Sequence, residues 1–167
     1  TATIRELEPA GIGEKKALDV ISAARSTLSL SFIRADELLK MRANVLRLTS
    51  GSKAIDEILG GGLETQTITE IYGEYGSGKG QLCHQMCVNV QLPVERGGLN
   101  SGALYVDTEN TFRTERIVQM ANHLGLNPEE ILKNIIFAEA YNSDHQMFLL
   151  ENADKIVKEN NIRLIIV

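Results

Sequence analysis

The sequence predicts an α/β protein built on a mostly parallel sheet with helices over both faces. Two observations carry the prediction. Mostly apolar runs of strand length recur at ALYVD (103–107), NIIFA (134–138) and RLIIV (163–167), with helix-period segments between them. A glycine-rich loop, GEYGSGK at 73–79, stands between a β-prone run and a helix. A strand covered on both faces meets no water, so its residues need not alternate with polar ones.

Composition agrees. A chain of 167 residues that is 43% apolar, with 14 Gly and 3 Pro, supports one core and a small satellite, and it excludes disordered and collagen-like chains. No apolar run approaches the ~18 residues that cross a bilayer. The net charge of −5 is uneven, with 7 basic and 6 acidic residues in 1–44 against 10 and 16 in 45–167. The larger part lacks the general positive field of an electrostatic nucleic-acid binder, although a local site or an absent segment can still bind one. Cys83 and Cys87 lie one helical turn apart and no signal-peptide pattern opens the chain, which suits buried thiols in a reducing compartment. With His84 they make too poor a cage for a metal, and no metal ligands are assigned.

The elements follow in order. Gly11-Ile12-Gly13 turns into a helix with an Ala17, Val20, Ile21, Ala24 stripe. That turn is either an ordinary glycine turn or one that aims helix N–H groups at a phosphate. LSLSFIR (28–34) alternates and makes a short extended piece with Leu28, Leu30 and Phe32 on one side; ADELLKMR (35–42) makes one or two helical turns. This stretch either packs on its own domain or plugs a neighbouring subunit. VLRL (45–48) is strand-like, Ser52 stands where a cap would open a helix carrying Ile55 and Leu59, and Gly60–Gly62 end it. TITEIYG (67–73) is expected to be a strand covered by the helix after Lys79. Beyond 103–107, a helix carries Ile117, Met120, Ala121 and Leu124 and stops at Gly125, and Asn127-Pro128-Glu129-Glu130 starts another at 128. One helix is expected over 143–159. The chain stops inside an apolar strand without the loop that should follow, so a fragment is expected.

Gly73-Glu74-Tyr75-Gly76-Ser77-Gly78-Lys79 fits the first seven positions of G-x-x-x-x-G-K-[ST]. Such a loop wraps backbone N–H groups around a phosphate chain while Lys79 reaches the outer phosphates. The eighth position is Gly80, so the hydroxyl that usually ligates Mg²⁺ is missing. Metal binding is weakened more than phosphate binding, and hydrolysis by this chain is expected to be weak or absent. Asp107 and Glu109 stand at a strand's C-terminal end, where α/β folds gather ligands. A carboxylate there can orient a water for attack on a γ-phosphate, or Asp107 can order the loop by hydrogen bonds. Arg113 and Arg116 follow, to stack on an adenine or pair with Glu115.

GSKAIDEILGGGLETQTITEIYGEYGSGKG (51–80), DTENTFRTERI (107–117) and AEAYNSDHQ (138–146) together resemble the RecA-like strand-exchange ATPases, most closely their archaeal branch. The resemblance implies a RecA-like P-loop NTPase core, truncated at its C-terminus, whose N-terminal part is 45–167. It further implies the end of a helix-hairpin-helix domain at 1–26 and a linker at 27–44. The parent protein would use ATP and Mg²⁺, form filaments on single-stranded DNA and pair that strand with homologous duplex DNA in recombinational repair. It would work in the cytoplasm, with recombination mediators as further partners.

By the same resemblance Gly73–Lys79 form the phosphate loop that continues to Gly80, Lys79 and Glu109 are catalytic with Glu109 activating water, and Arg116 packs over adenine at a subunit interface. Phe32 and Ala35 enter a pocket on the neighbouring core, where Ala138, Leu104 and Leu149 form part of the receiving surface. Gln146 falls in a family segment and is given no chemistry. Gly80, Thr114 in place of a common Pro, and an end just before the expected second acidic motif depart from the pattern. The DNA-contacting loops would also lie beyond Val167. A non-catalytic RecA-like paralogue or regulator is the alternative; a P-loop kinase is a broader one, for which no acceptor pocket is recognisable.

Overall fold

The computed structural model describes residues 3–27 and 33–167, and the chain divides into two compact units, Thr1–Asn44 and Val45–Val167. In the first unit, α1 (Ile4–Leu7) passes through a 3-10 turn at Glu8–Ala10 to Gly11, and α2 spans Glu14–Thr27. Gly11 takes a left-handed φ of 75° and donates its N–H to the Glu8 carbonyl at 2.9 Å, and Ala17 on α2 is fully buried. α3 (Ala35–Met41) carries Asp36 and Glu37 in its first turn and Lys40 in its last, which complements the helix dipole. Phe32 lies outside the described residues. Ala35 is the first residue of α3 and is exposed.

The second unit opens with a small antiparallel ribbon, β1 (Arg47–Leu48) against β2 (Leu63–Glu64), joined through α4 (Lys53–Ile58). Arg47 fastens it by donating to Glu64 Oε1 at 2.7 Å and to the Leu59 carbonyl at 2.9 Å. Gly62 is required there: φ is 121°, and a Cβ would come within 2.5 Å of the Leu48 carbonyl oxygen. Ser52 occupies the N-cap position of α4 without a side-chain cap bond. Asp56 organises this corner instead, accepting from the Ser50 N–H at 2.8 Å, the Ser50 hydroxyl at 2.6 Å and the Thr49 hydroxyl at 2.5 Å.

The main body then runs through α5 (Lys79–Asn89), β3 (Gly102–Asp107), α6 (Thr114–His123), α7 (Pro128–Lys133), β4 (Ile135–Glu139), α8 (Ser143–Glu151), α9 (Ala153–Glu159) and β5 (Ile162–Ile166). The three strands form a parallel sheet in the order β4-β3-β5, as the apolar runs require. Every residue of the central β3 is buried. Ala103 and Tyr105 face a core with Cys87, Ile117 and Met120, while Leu104 and Val106 face a second core with Ala153 and Ile162. This period-two partition puts α5 and α6 on one face and α9 on the other.

Two expected elements differ. Residues 67–73 are not a strand, and Ile68 and Tyr72 are 101% and 89% exposed. The run has β-forming residues but pairs with neither sheet, and β propensity makes a strand only where a neighbour supplies its hydrogen bonds. α5 therefore covers β3, not 67–73. The expected helix over 143–159 is two helices separated at Asn152, whose side-chain amide donates to the Phe148 carbonyl at 2.7 Å. An Asn that bonds the preceding turn competes with continuation of the helix.

Candidate phosphate-binding site

The loop from Gly73 to Gly78 leads straight into α5. Gly76 and Gly78 take φ values of 78° and 97°, which L side chains rarely adopt, and so curl the chain tightly before the helix. Gly78 is the N-cap and supplies no side-chain cap, while Leu82 N–H already bonds the Gly78 carbonyl at 2.9 Å. The N–H groups of the first turn have no intrahelical acceptor, so they and the positive end of the helix dipole face whatever anion enters the loop. Lys79, the first helical residue, folds back over the loop: its Nζ donates to the Gly73 carbonyl at 3.0 Å and the Glu74 carbonyl at 3.1 Å. The ammonium is thereby held over the loop's mouth by neutral acceptors that a phosphate oxygen can replace at a gain in charge. The loop-to-helix half of the sequence expectation is present; the strand expected before it is not.

Lys79, Gly80, Asp107 and Glu109 line one cleft of about 940 Å³, whose far wall is formed by residues 63–71 and 163–167. Asp107 closes β3 and is buried. Its Oδ1 accepts from the Glu109 N–H at 3.1 Å and the Thr111 N–H at 3.2 Å, and its Oδ2 from the Phe112 N–H at 2.8 Å. Burial alone raises the Asp107 carboxyl, but the backbone donors outweigh it and hold the group below the ordinary carboxylate value. Of the two possibilities open from sequence, these bonds give Asp107 the loop-ordering one. The Glu109 side chain is exposed at the tip of the loop Asp107 organises.

Arg116 reaches from α6 to α5, donating from Nε to Gln81 Oε1 at 2.5 Å and from Nη1 to Gln119 Oε1 at 2.8 Å. These partners take the place of Glu115. Arg113 turns its guanidinium back onto the Phe112 carbonyl at 2.8 Å. The structure thus brings Arg116 beside the first turn of α5, one residue after Gly80.

His84, set aside in the sequence as a weak metal candidate, has a different role. It is buried, with Nδ1 on the Gly80 carbonyl and Nε2 accepting from the Arg113 N–H at 3.1 Å. Its ring stacks on Phe112 with centroids 5.1 Å apart. The only sequence signal for this was a His one turn after Gly80. Burial pushes the neighbouring Cys87 thiol up to about 12, so it stays a protonated core group. Among the described residues no cluster of three His, Cys, Asp or Glu can hold a metal ion.

On the opposite face, Leu104 is buried in the second core with Leu149 packed against it, and the register pairs Ala138 with Val106 on that same face. Leu104 is thus a buried core residue on the same face of the sheet as Ala138, with Leu149 packed against that core. Among the described residues no helix is long and apolar enough to cross a membrane.

A family model described as Rad51 matches residues 41–167. The chain is 52% identical over 171 aligned residues to the DNA repair and recombination protein RadA of Ignicoccus hospitalis, covering 99% of this chain and 52% of that protein. To the protein of the same name from Metallosphaera sedula it is 54% identical over 159 residues, covering 95% of this chain and 49% of that one. It thus spans about half the length of these relatives. With the glycine loop, the parallel sheet and the acidic strand end in place, the chain belongs to the Rad51 family.

Proposed function

We propose that residues 73–80 bind the phosphates of ATP, and that the protein of which this chain forms a part acts in DNA repair and homologous recombination. The observation that carries the nucleotide reading is the uncapped first turn of α5, entered through two left-handed glycines and roofed by the Lys79 ammonium. Backbone N–H groups would take the phosphate oxygens, and Lys79 would exchange its two carbonyl acceptors for the outer phosphates. Arg116, already oriented by Gln81, would lie against the nucleotide's base at a subunit boundary. Glu109, exposed at the loop tip, would orient the attacking water.

The residues present fit the phosphates better than they fit the metal. Mg²⁺ finds no hydroxyl at Gly80, and both Asp107 oxygens already accept backbone N–H groups. With that ligand missing, turnover by this chain would be weak or absent. The longer protein would assemble through Phe32 and Ala35 into the face that carries Leu104, Ala138 and Leu149, forming filaments on single-stranded DNA that pair with homologous duplex. The names of the two relatives support the repair assignment.

The test is made in a protein of the relatives' full length with a hydroxyl residue at position 80. Glu109→Gln is expected to lower ATP turnover by about 10²-fold or more while ATP affinity stays within about twofold. Unchanged turnover removes Glu109 from the chemistry.

A further inference from the structure

His84 is 2% exposed, and each of its ring nitrogens reaches a different segment. Nδ1 lies 2.5 Å from the carbonyl oxygen of Gly80, in the first turn of α5, and Nε2 lies 3.1 Å from the N–H of Arg113, the residue that caps α6. A carbonyl only accepts and an amide N–H only donates, so both bonds exist together when the ring carries a single proton, on Nδ1. The ring is further held by Phe112, stacked at 5.1 Å and 16°, and by Tyr105, tilted at 5.6 Å. Phe112 donates its own N–H to Asp107, so the imidazole completes a continuous set of bonds from Gly80 through Arg113 to the end of β3.

Any buried imidazole must satisfy both ring nitrogens, so what distinguishes this one is which residues it takes as partners. Here they are the residue after the phosphate-loop lysine and the last residue of the loop that carries Glu109. We propose that His84 is a positioning residue that locks loop 107–113 onto the first turn of α5 and so transmits displacement of one to the other. Hydrogen bonds weaken within a few tenths of an ångström to one ångström of stretch, so a ligand that pulls the first turn of α5 is felt at Arg113. Only this last step rests on the phosphate-binding reading.

The lock is tested first without nucleotide. In wild-type protein, ¹⁵N spectra of the His84 ring are expected to show a protonated Nδ1 and an unprotonated Nε2. Amide exchange at Arg113 is expected to accelerate by about tenfold or more in His84→Phe, which keeps the stack and loses both bonds, while the β3 amides keep their rates. His84→Asn keeps a donor near Nδ1 and should behave like the Phe variant at Arg113. His84→Gln keeps an acceptor near Nε2 and should restore protection. An Nε2–H tautomer in the wild type overturns the proposal without any variant. So does Arg113 exchange that rises no more than that of β3, or that rises equally in the Gln variant.

Transmission is read by adding ATP. Wild-type Arg113 should shift and exchange more slowly, whereas His84→Asn should bind ATP without that response. Equal responses overturn transmission. Absence of ATP binding in the wild type defeats the phosphate-binding reading, while the tautomer and exchange results still decide the lock.

Discussion

On the proposed phosphate site, glycine at position 80 costs helix stability and also withholds a hydroxyl from the phosphates, and substitution by alanine and by serine separates the two effects. Gly80 is the second residue of α5, solvent-exposed, with a φ outside the left-handed region, and a Cβ built on it meets no heavy atom within 4 Å. No steric term therefore opposes a side chain. Alanine recovers the cost of a helical glycine, about 0.5–1 kcal/mol in a helix interior and less in a first turn. At about 2–4 °C per kcal/mol for a domain of this size, Gly80→Ala should raise Tm by about 1–3 °C. Gly80→Ser should raise it by about half as much, since serine is the weaker helix former. Only serine restores an oxygen ligand, so it alone should make ATP affinity depend on Mg²⁺, by about tenfold over the alanine variant. Scanning calorimetry measures the first effect, and titration with ATP in the presence and absence of Mg²⁺ the second. A lower Tm for Gly80→Ala refutes the helical, open environment of residue 80, and identical Mg²⁺ dependence of the two variants refutes its place beside the phosphates.

The remaining expectations concern the loop and assembly. The Asp107 carboxyl lies below its ordinary value of 3.8 in the folded chain, so its contribution is fully present above that pH and lost as pH falls through the folded value. Asp107→Asn, which sets an amide against three backbone donors, should cost about 2–4 kcal/mol at pH 7, with the gap from wild type closing in urea denaturation as pH falls below 3.8 and through the lowered folded value. Equal stabilities at pH 7 would show that the loop is ordered otherwise. Phe32→Glu should shift a protein of the relatives' full length toward monomer, because burying an aromatic anchor supplies about 1.5–3 kcal/mol that a carboxylate forfeits. Light scattering over a concentration series checks this, and identical assembly of both proteins rejects the anchor.

The parallel sheet was legible because its strands are buried on both faces and announce themselves as apolar runs. The start of α7 was legible from local chemistry, since Asn127 Oδ1 accepts the Glu129 N–H at 3.0 Å. Residues 67–73 misled because their β-forming side chains say nothing of a pairing partner, and the partner decides. Asn152 misled for a local reason, an amide that bonds the preceding turn within an otherwise helical stretch. The phosphate loop could be read because seven consecutive residues contain it. The role of His84 could not, because it depends on Arg113, 29 positions on, arriving at the other side of the ring. Asp107 fell between these cases: its place at a strand end was visible, but only the curl of 108–112 shows that its oxygens face inward to the backbone.

The nucleotide assignment is tested most directly by calorimetric titration of this chain and its Lys79→Ala variant with ATP. On this assignment Lys79 would contribute a charge-assisted contact that alanine removes outright, worth about 1.5–3 kcal/mol, so the variant should bind about 10- to 150-fold more weakly, with its thermal stability little changed. Saturable binding by the wild type with that loss in the variant is the expected result. Equal affinities, or no binding by a folded wild type, would contradict the assignment of Gly73–Lys79 to the phosphates.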